Sequence, residues 1–428
     1  MPAIHTADDL IAYDGPVSVG QRMLWLIEHY RGGHGRLNYP LLLRIRGELD
    51  PGALQSAVDQ LVVRHEGLRT TFVRRRGLLT AQVHHPSPVP IRLVRPASPS
   101  PDVLWQSIHE EIHTSIDPKS APLRVTLWSP AATDHIACIN AHHLVTDAWS
   151  CRVLVDELAA LLGGERNLPR PGWQYRHFVH WQRRKTTLAR QELDREYWQR
   201  QLAGARGPAL PWRAGAEPSS RPVNKTREVD VGTATWDRVR ELARSEQTTP
   251  FAVLLSIYYA ALYRESGDAD LAVASPFANR TRPEVMGTVG FFANLLVLRC
   301  RIPREGTFLS LLRQARTTTA EALAHQGFTH FVPPAADGTG AGNVQDIIFQ
   351  MLPGLPPPLT AGSLRIEVLP PVVASRFDLE MSVISRPGGL RVLFQYAPHR
   401  IEDPLADRLA SSTSEMLRRL ATDPQFRL

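Results

Sequence analysis

Two hydrophobic periods take turns along the chain, one of two residues and one of 3.6, and they divide it into alternating strands and helices. Residues 39–47 read as a strand leading to Asp50-Pro51, a helix-capping residue followed by a first-turn proline. Leu54, Val58, Leu61 and Val62 then recur at helical spacing. Strands are predicted over 69–75 and 78–84, with a turn at Gly77, and over 123–128 and 136–141. From residue 149 to 162 the helical period returns, with Val153, Leu154, Leu158, Leu161 and Leu162 on one face, and Gly163-Gly164 ends it. The spacing predicts one long helix over 181–202.

The second half is built in the same manner. A strand at 227–231 precedes a helix at 235–245. A further helix over 250–265, opened by Thr249-Pro250, is apolar almost throughout and should be buried. Strands follow at 271–274 and 295–302, a helix at 307–323, and strands at 347–352, 364–369, 379–385 and 390–396. A last helix opens at Asp403-Pro404, again read as a cap and first-turn proline. Gly- and Pro-rich stretches at 163–172 and 204–222 mark a domain boundary, whereas 333–343 and 353–362 read as mobile loops. The alternation implies an α/β fold in two layered domains, 1–172 and 173–428. A length of 428 residues suits two domains of about 200 each. No short-period repeat is visible, and the likeness between the halves is one of architecture.

Composition narrows the class. Apolar residues make up 43% and charged residues 21%, as in ordinary globular proteins. The N-terminus lacks a basic start followed by an apolar stretch, and no run of about 18 apolar residues occurs, so neither a secretory signal nor a membrane span is expected. Cys138, Cys151 and Cys300 are odd in number and widely spaced, which fits neither a disulfide framework nor a metal site. A reducing cytoplasm is the expected location. The net charge of +7 comes almost entirely from arginine, with lysine only at 119, 185 and 225. The arginines are dispersed and no nucleic-acid motif accompanies them, so they read as a solvated basic surface.

The chemistry concentrates at His142-His143-Leu144-Val145-Thr146-Asp147. A buried strand should end there, with a helix starting just beyond, so both histidines and the aspartate fall in a strand–loop–helix turn. Neighbouring residues on extended backbone point to opposite faces, so the two imidazoles should not converge on a metal ion. One can face a cleft while the other packs inward. Histidine moves protons near neutral pH because its reference pKa is about 6.5. Asp147 either orients a histidine or ties the loop to a cation elsewhere. A second pair, His84-His85, precedes Pro86, lacks a carboxylate four residues on, and reads as an exposed strand end.

The segment from Ala141 through Ser150 resembles the HHxxxDG core of nonribosomal peptide synthetase condensation domains. Other segments resemble the family's motifs in the same order. They are Ser18 to Trp25, Arg64-His65-Glu66-Gly67-Leu68-Arg69-Thr70-Thr71-Phe72, Tyr175 to Trp181, Gly290-Phe291-Phe292-Ala293-Asn294 and Ser375 to Leu379. The segment His325-Gln326-Gly327-Phe328 keeps little of the family's acidic pattern. The resemblance implies two chloramphenicol-acetyltransferase-like α/β sandwich lobes arranged as a pseudo-dimeric V, with a channel at their junction. It implies a free-standing condensation enzyme of natural-product or antibiotic biosynthesis, monomeric, with no nucleic-acid or membrane partner. Such an enzyme transfers an acyl or aminoacyl group from a carrier-protein thioester to an amine or hydroxyl acceptor. No metal or permanently bound cofactor is implied, because the 4'-phosphopantetheine arm comes with the peptidyl or acyl carrier protein.

By the same resemblance His143 faces the channel as the catalytic histidine, and His142, also in the catalytic pair, is more structural. Asp147 pairs with an arginine for which Arg280, in Ser275-Pro276-Phe277-Ala278-Asn279-Arg280, is the candidate. Ala148, Trp149 and Ser150 are candidates to line the channel. The family's glycine after the aspartate is here Ala148, whose methyl bears on channel width and on a backbone N–H near the reacting carbonyl. Two rivals share these features: a polyketide-associated or acyl-coenzyme-A-dependent O- or N-acyltransferase, and a non-catalytic condensation-like docking module. Epimerisation domains share the histidine core, but Trp149-Ser150-Cys151 follows the condensation pattern more closely. Cyclising relatives carry aspartates in place of the histidines and are excluded.

Overall fold

The structure, a computed structural model, describes residues 11–30, 37–95, 100–185, 187–213, 224–302, 305–327, 344–370 and 377–428. Its elements begin with β1 (Ile11–Pro16), α1 (Val19–Tyr30), β2 (Asn38–Arg46), α2 (Pro51–Arg64), β3 (Thr70–Arg75), β4 (Leu78–His84), β5 (Ile91–Val94) and α3 (Pro101–His113). Next come β6 (Leu123–Ala131), β7 (Asp134–His142), α4 (Ala148–Leu162), α5 (Tyr175–Lys185), α6 (Leu188–Leu202), β8 (Lys225–Gly232), α7 (Thr233–Ser245) and α8 (Pro250–Ser266). The remainder are β9 (Asp270–Phe277), β10 (Asn294–Arg301), α9 (Phe308–Ala324), β11 (Ile347–Leu352), β12 (Leu359–Ala361), β13 (Leu364–Val368), β14 (Leu379–Arg386), β15 (Gly389–Tyr396) and α10 (Asp403–Thr422).

These elements form two compact units, and each is an α/β layered body of the kind the alternating pattern predicts. The first comprises residues 1–187, 278–293 and 355–373, and the second the remainder. The division differs from the expected boundary after residue 172. The chain runs on to residue 187 before leaving the first unit, and two later segments return to it. The second return is a matter of strand pairing, since β13 lies antiparallel on β2 with Ile366 opposite Ile45.

In the first unit a six-stranded sheet runs β12-β13-β2-β7-β6-β5, beside a three-stranded β1-β4-β3 sheet. Strand β7 sits between β2 and β6, and from His135 onward every one of its residues is buried. Its alternate side chains feed two separate cores. Ala137, Ile139 and Ala141 pack with Leu54, Val58 and Leu61 of α2 and Leu154 and Leu158 of α4. Ile136 and Cys138 pack with Ile108 and Ile112 of α3. A strand covered on both faces reads as a continuous apolar run, as this one does. Each large aliphatic side chain buried here contributes about 1.5–3 kcal/mol, so the end of β7 is a rigid place from which to hold a side chain.

In the second unit the sheet order is β10-β9-β11-β14-β15-β8. Helix α8 is buried continuously from Ala252 to Leu262, as its unbroken apolar run predicts, with Thr249 capping its first turn. The sequence reading needs correction at four places. The single helix expected over 181–202 is two, α5 and α6. The Thr187 amide turns back to the Lys185 carbonyl (3.2 Å) rather than continuing the ladder. The 353–362 stretch is not wholly loop, because β12 forms a short hairpin with β13 there. Asp403 is the first residue of α10 rather than its cap, which is Glu402. Strands β1 and β5 and helices α1 and α3 went unrecognised. The 333–343 loop, and Ser375 and Arg376 of the late motif, lie outside the described residues.

Candidate active site

Strand β7 ends on His142, and a single 3-10 turn, His143–Val145, leads towards α4. The two imidazoles diverge as alternating strand geometry requires. His142 is 1% exposed. Its Nδ1 accepts from the Leu144 amide (3.2 Å), so the neutral ring carries its proton on Nε2, 3.4 Å from Glu28 Oε1. His143 is only partly buried. Its amide donates to the Leu37 carbonyl (2.7 Å), and its Nδ1 lies 2.7 Å from the Thr146 carbonyl oxygen. A carbonyl only accepts, so Nδ1 carries the hydrogen and the lone pair of the neutral ring is on Nε2. Tyr39 stacks on the ring at 4.6 Å between centroids and Phe291 meets it edge-on at 4.8 Å. The ring is therefore held in one orientation and one tautomer, as a base requires.

Asp147 does not count His143 among its hydrogen-bond partners. It caps α4, with Oδ1 accepting from the Ser150 amide (2.7 Å) and Oδ2 from the Phe292 amide (3.1 Å). Arg280 Nη2 donates to Oδ1 (3.0 Å) and Oδ2 (3.3 Å). Of the two roles left open for the aspartate, the structure supports the tie to a distant cation. The side chains of Arg280 and Asp147 are 2% and 6% exposed. Burial lowers the Arg280 pKa, and Asp147 opposes that shift. The other guanidinium nitrogen, Nη1, reaches the carbonyls of Val285 (2.6 Å) and Thr288 (2.9 Å), and the group lies 4.0 Å from the centroid of Phe292. Asn279, at φ 49°, occupies the left-handed region that asparagine tolerates and turns the chain immediately before Arg280.

The three proposed lining residues divide. Ala148 and Trp149 are exposed, and the Trp149 indole donates to the Met286 carbonyl (2.8 Å). Ser150 is fully buried and lines nothing. Its hydroxyl lies 2.7 Å from Asp147 Oδ1 and accepts from Arg280 Nη2 (2.9 Å) and from the Gly290 amide (3.1 Å). Ala148 is the first residue of α4 and is not among the non-glycine residues with positive φ, so the backbone makes no demand for glycine there.

The other motifs brace this loop. Ser18 and Gln21 form a reciprocal capping box at the start of α1, and Gln21 Nε2 then donates to the Leu144 carbonyl (2.9 Å). Tyr175 packs its ring on Gly290, where a Cβ would fall 2.0 Å from Tyr175 Cδ2, so only glycine fits. The Tyr175 hydroxyl contacts Ser18 Oγ (2.8 Å) and the Phe291 carbonyl. In the second motif Arg64 makes a fork with Glu157 of α4 (2.9 and 3.0 Å), and His65 Nε2 reaches the same carboxylate (2.8 Å). Burial pushes the Glu157 pKa up, but the hydrogen bonds from His65 and Arg64 outweigh it and hold the carboxyl at about 2. Sequence reading missed Glu157, whose partners lie on another helix. Cys151, one turn into α4, has its thiol pushed up to about 12 by burial and is inert as a nucleophile.

The chain is similar to known proteins over most of its length. Nonribosomal peptide synthetase kk1B of Curvularia clavata is 30% identical over 431 residues, an alignment covering 97% of this chain and 3% of that protein. The chain thus spans a small fraction of this curated relative's length. Among solved structures, SgcC5 of Streptomyces globisporus superposes with a TM-score of 0.77 at 23% identity, covering 96% of this chain and 100% of that one. The X-domain from teicoplanin biosynthesis gives 0.83 at 21% identity, with 96% of each chain covered. Both likenesses show the shared chloramphenicol-acetyltransferase-like α/β fold. With the family's condensation-domain description matching residues 12–331, the chain belongs to the condensation domain family.

Proposed function

We propose that the chain transfers an acyl or aminoacyl group from a carrier-protein thioester to an amine or hydroxyl acceptor, with His143 as the catalytic base. The observation that carries this reading is the Nδ1 contact from His143 to the Thr146 carbonyl, which leaves the Nε2 lone pair to take a proton. The acceptor's lone pair attacks the thioester carbonyl carbon, and its proton passes to Nε2. The tetrahedral intermediate then collapses, the C–S bond breaks, and the leaving thiolate of the pantetheine arm takes the proton back from Nε2. An amine acceptor needs modest help, since an α-amino group has a pKa of about 7.7–8.0. A hydroxyl depends on the base for a factor of roughly 10² to 10⁴.

His142, Asp147 and Arg280 do no proton transfer in this scheme. They fix the ends of the loop that carries His143, one through the Leu144 amide and the others through the cap of α4. Ala148 and Trp149, exposed at the start of α4 just beyond the turn that carries His143, remain the proposed lining residues. The test is intact-protein mass spectrometry of acyl-loaded carrier protein with panels of amine and hydroxyl acceptors. Loss of the acyl group with matching product formation is expected. Equal turnover of acyl-coenzyme A would instead identify a carrier-independent acyltransferase, and carrier binding without transfer would identify a docking module.

A further inference from the structure

The central sheet of the second unit has two unlike faces. Leu379, Met381 and Val383 of β14, with Val392 and Phe394 of β15, are buried on the face where Tyr258 of α8 meets Phe349 and Phe394. Successive strand residues point to opposite faces. The other face therefore carries Glu380 and Ser382 of β14, Gln350 of β11 opposite Ser382, and Gln395 of β15 opposite Glu380. Glu380 is 6% exposed and Ser382 is 2% exposed. Gln350 Nε2 donates to Glu380 Oε1 (2.5 Å) and to Ser382 Oγ (3.0 Å), and the Ser382 hydroxyl donates to the same Glu380 oxygen (2.5 Å).

Both donors converge on Oε1. Among the described residues nothing donates to Oε2, and no arginine, lysine or histidine pairs with this carboxylate. The other buried carboxylates are treated differently. Glu66 pairs with Arg176, Glu111 with Arg124, Asp147 with Arg280 and Asp194 with Arg190. A buried carboxylate without a cation is unfavourable, and a cation brought by a ligand relieves it. The surface around the carboxylate is accessible, because Gln350, Leu352, Ile384, Leu393 and Gln395 are only half-buried.

We propose that Glu380, Ser382 and Gln350 form a binding subsite for the protonated amine of a small ligand. The ammonium donates to Glu380 Oε2 and to the side-chain oxygen of Gln350. Leu352, Ile384 and Leu393, on the same face by strand alternation, receive the ligand's carbon chain. A hydroxyl lacks the charge that completes the site, and a carboxylate is repelled by it. Calling this ligand the acceptor of the condensation rests on the function proposed above; the binding itself does not.

The test is calorimetric titration of the full chain with n-butylamine hydrochloride near pH 7, with 1-butanol and sodium butyrate as controls. Saturable binding of the amine is expected, with both controls at least about tenfold weaker. Glu380→Gln keeps an oxygen for Gln350 and Ser382 but loses the charge, and should weaken amine binding by about tenfold or more, the order expected for a hydrogen bond to a charged group. Glu380→Asp, which keeps the charge but withdraws it by one methylene, should also weaken binding. If the Gln variant loses its native circular dichroism spectrum, the Asp variant decides the matter. Unchanged amine affinity in a natively folded variant, or equal binding of 1-butanol by the wild type, overturns the subsite. Amine binding that persists in a chain showing no acyl transfer overturns the condensation reading and leaves the subsite standing.

Discussion

Replacing Arg280 by methionine keeps most of the side-chain volume and leaves the Asp147 carboxylate buried without its cation. The pair is almost sealed, with side chains 2% and 6% exposed, so solvent screens little of its interaction. Removing one partner of such a pair costs about 3–5 kcal/mol. Asp147 retains the Ser150 and Phe292 amides, which places Arg280→Met near about 3 kcal/mol. Asp147→Ala strands the guanidinium and also deletes the cap of α4, worth about 1 kcal/mol more, for a total of about 4–6 kcal/mol. The double variant Asp147→Asn with Arg280→Met buries no charge and keeps a capping side chain. It should therefore be less destabilised than the sum of Arg280→Met and Asp147→Asn measured singly, with a coupling above about 1 kcal/mol. Two compact units make a single unfolding transition doubtful as a readout, so amide exchange of α4 measured under native conditions is the appropriate assay, with urea unfolding as a companion. An Arg280→Met cost below about 1 kcal/mol, or strictly additive effects, would refute the assignment of this pair as the anchor of the loop.

Three further outcomes follow from neighbouring contacts. The Glu157 carboxyl, held at about 2 against an ordinary value of 4.5, has a depressed folded-state pKa. Its contribution is complete above pH 5 and is lost as pH falls towards 2. Glu157→Gln should cost about 1–2 kcal/mol at pH 7 once solvent screening of this half-buried group is allowed for, with the gap to wild type closing in acid, as urea unfolding against pH would record. Gly290→Ala places a methyl against the Tyr175 ring, and denaturation should show a loss of about 1–3 kcal/mol or more. Ala148→Gly, at a helical position that needs no positive φ, should lower stability by under about 1 kcal/mol, as urea unfolding would record.

Much of the site was legible because its signals are local. The apolar run of β7, the two adjacent histidines at its end, and the aspartate at the mouth of the next helix lie within fourteen consecutive residues, 134–147. Asp50-Pro51 and Thr249-Pro250 announced their helices for the same reason, since a cap is a property of four residues. What stayed hidden depends on pairing at a distance. Nothing in the period of β13 says that it will lie on β2, so the return of the chain to the first unit could not be read. Glu157 is an ordinary polar position on an amphipathic helix until Arg64 and His65 arrive from α2. Ser150 looked like a lining residue from its place beside the motif, whereas the segment around Gly290 and Arg280 closes over it. Glu380 reads as a solvent-facing position of an alternating strand, and only the folded sheet shows it buried, with no cation pairing with it among the described residues.

The account stands most directly on acyl transfer by His143→Ala measured beside wild type, with amine and hydroxyl acceptors in parallel and folding checked by thermal unfolding. It predicts a native unfolding profile, loss of hydroxyl acylation by a factor of roughly 10² to 10⁴, and a smaller loss with amines. Hydroxyl transfer at the wild-type rate in a natively folded His143→Ala chain would contradict it.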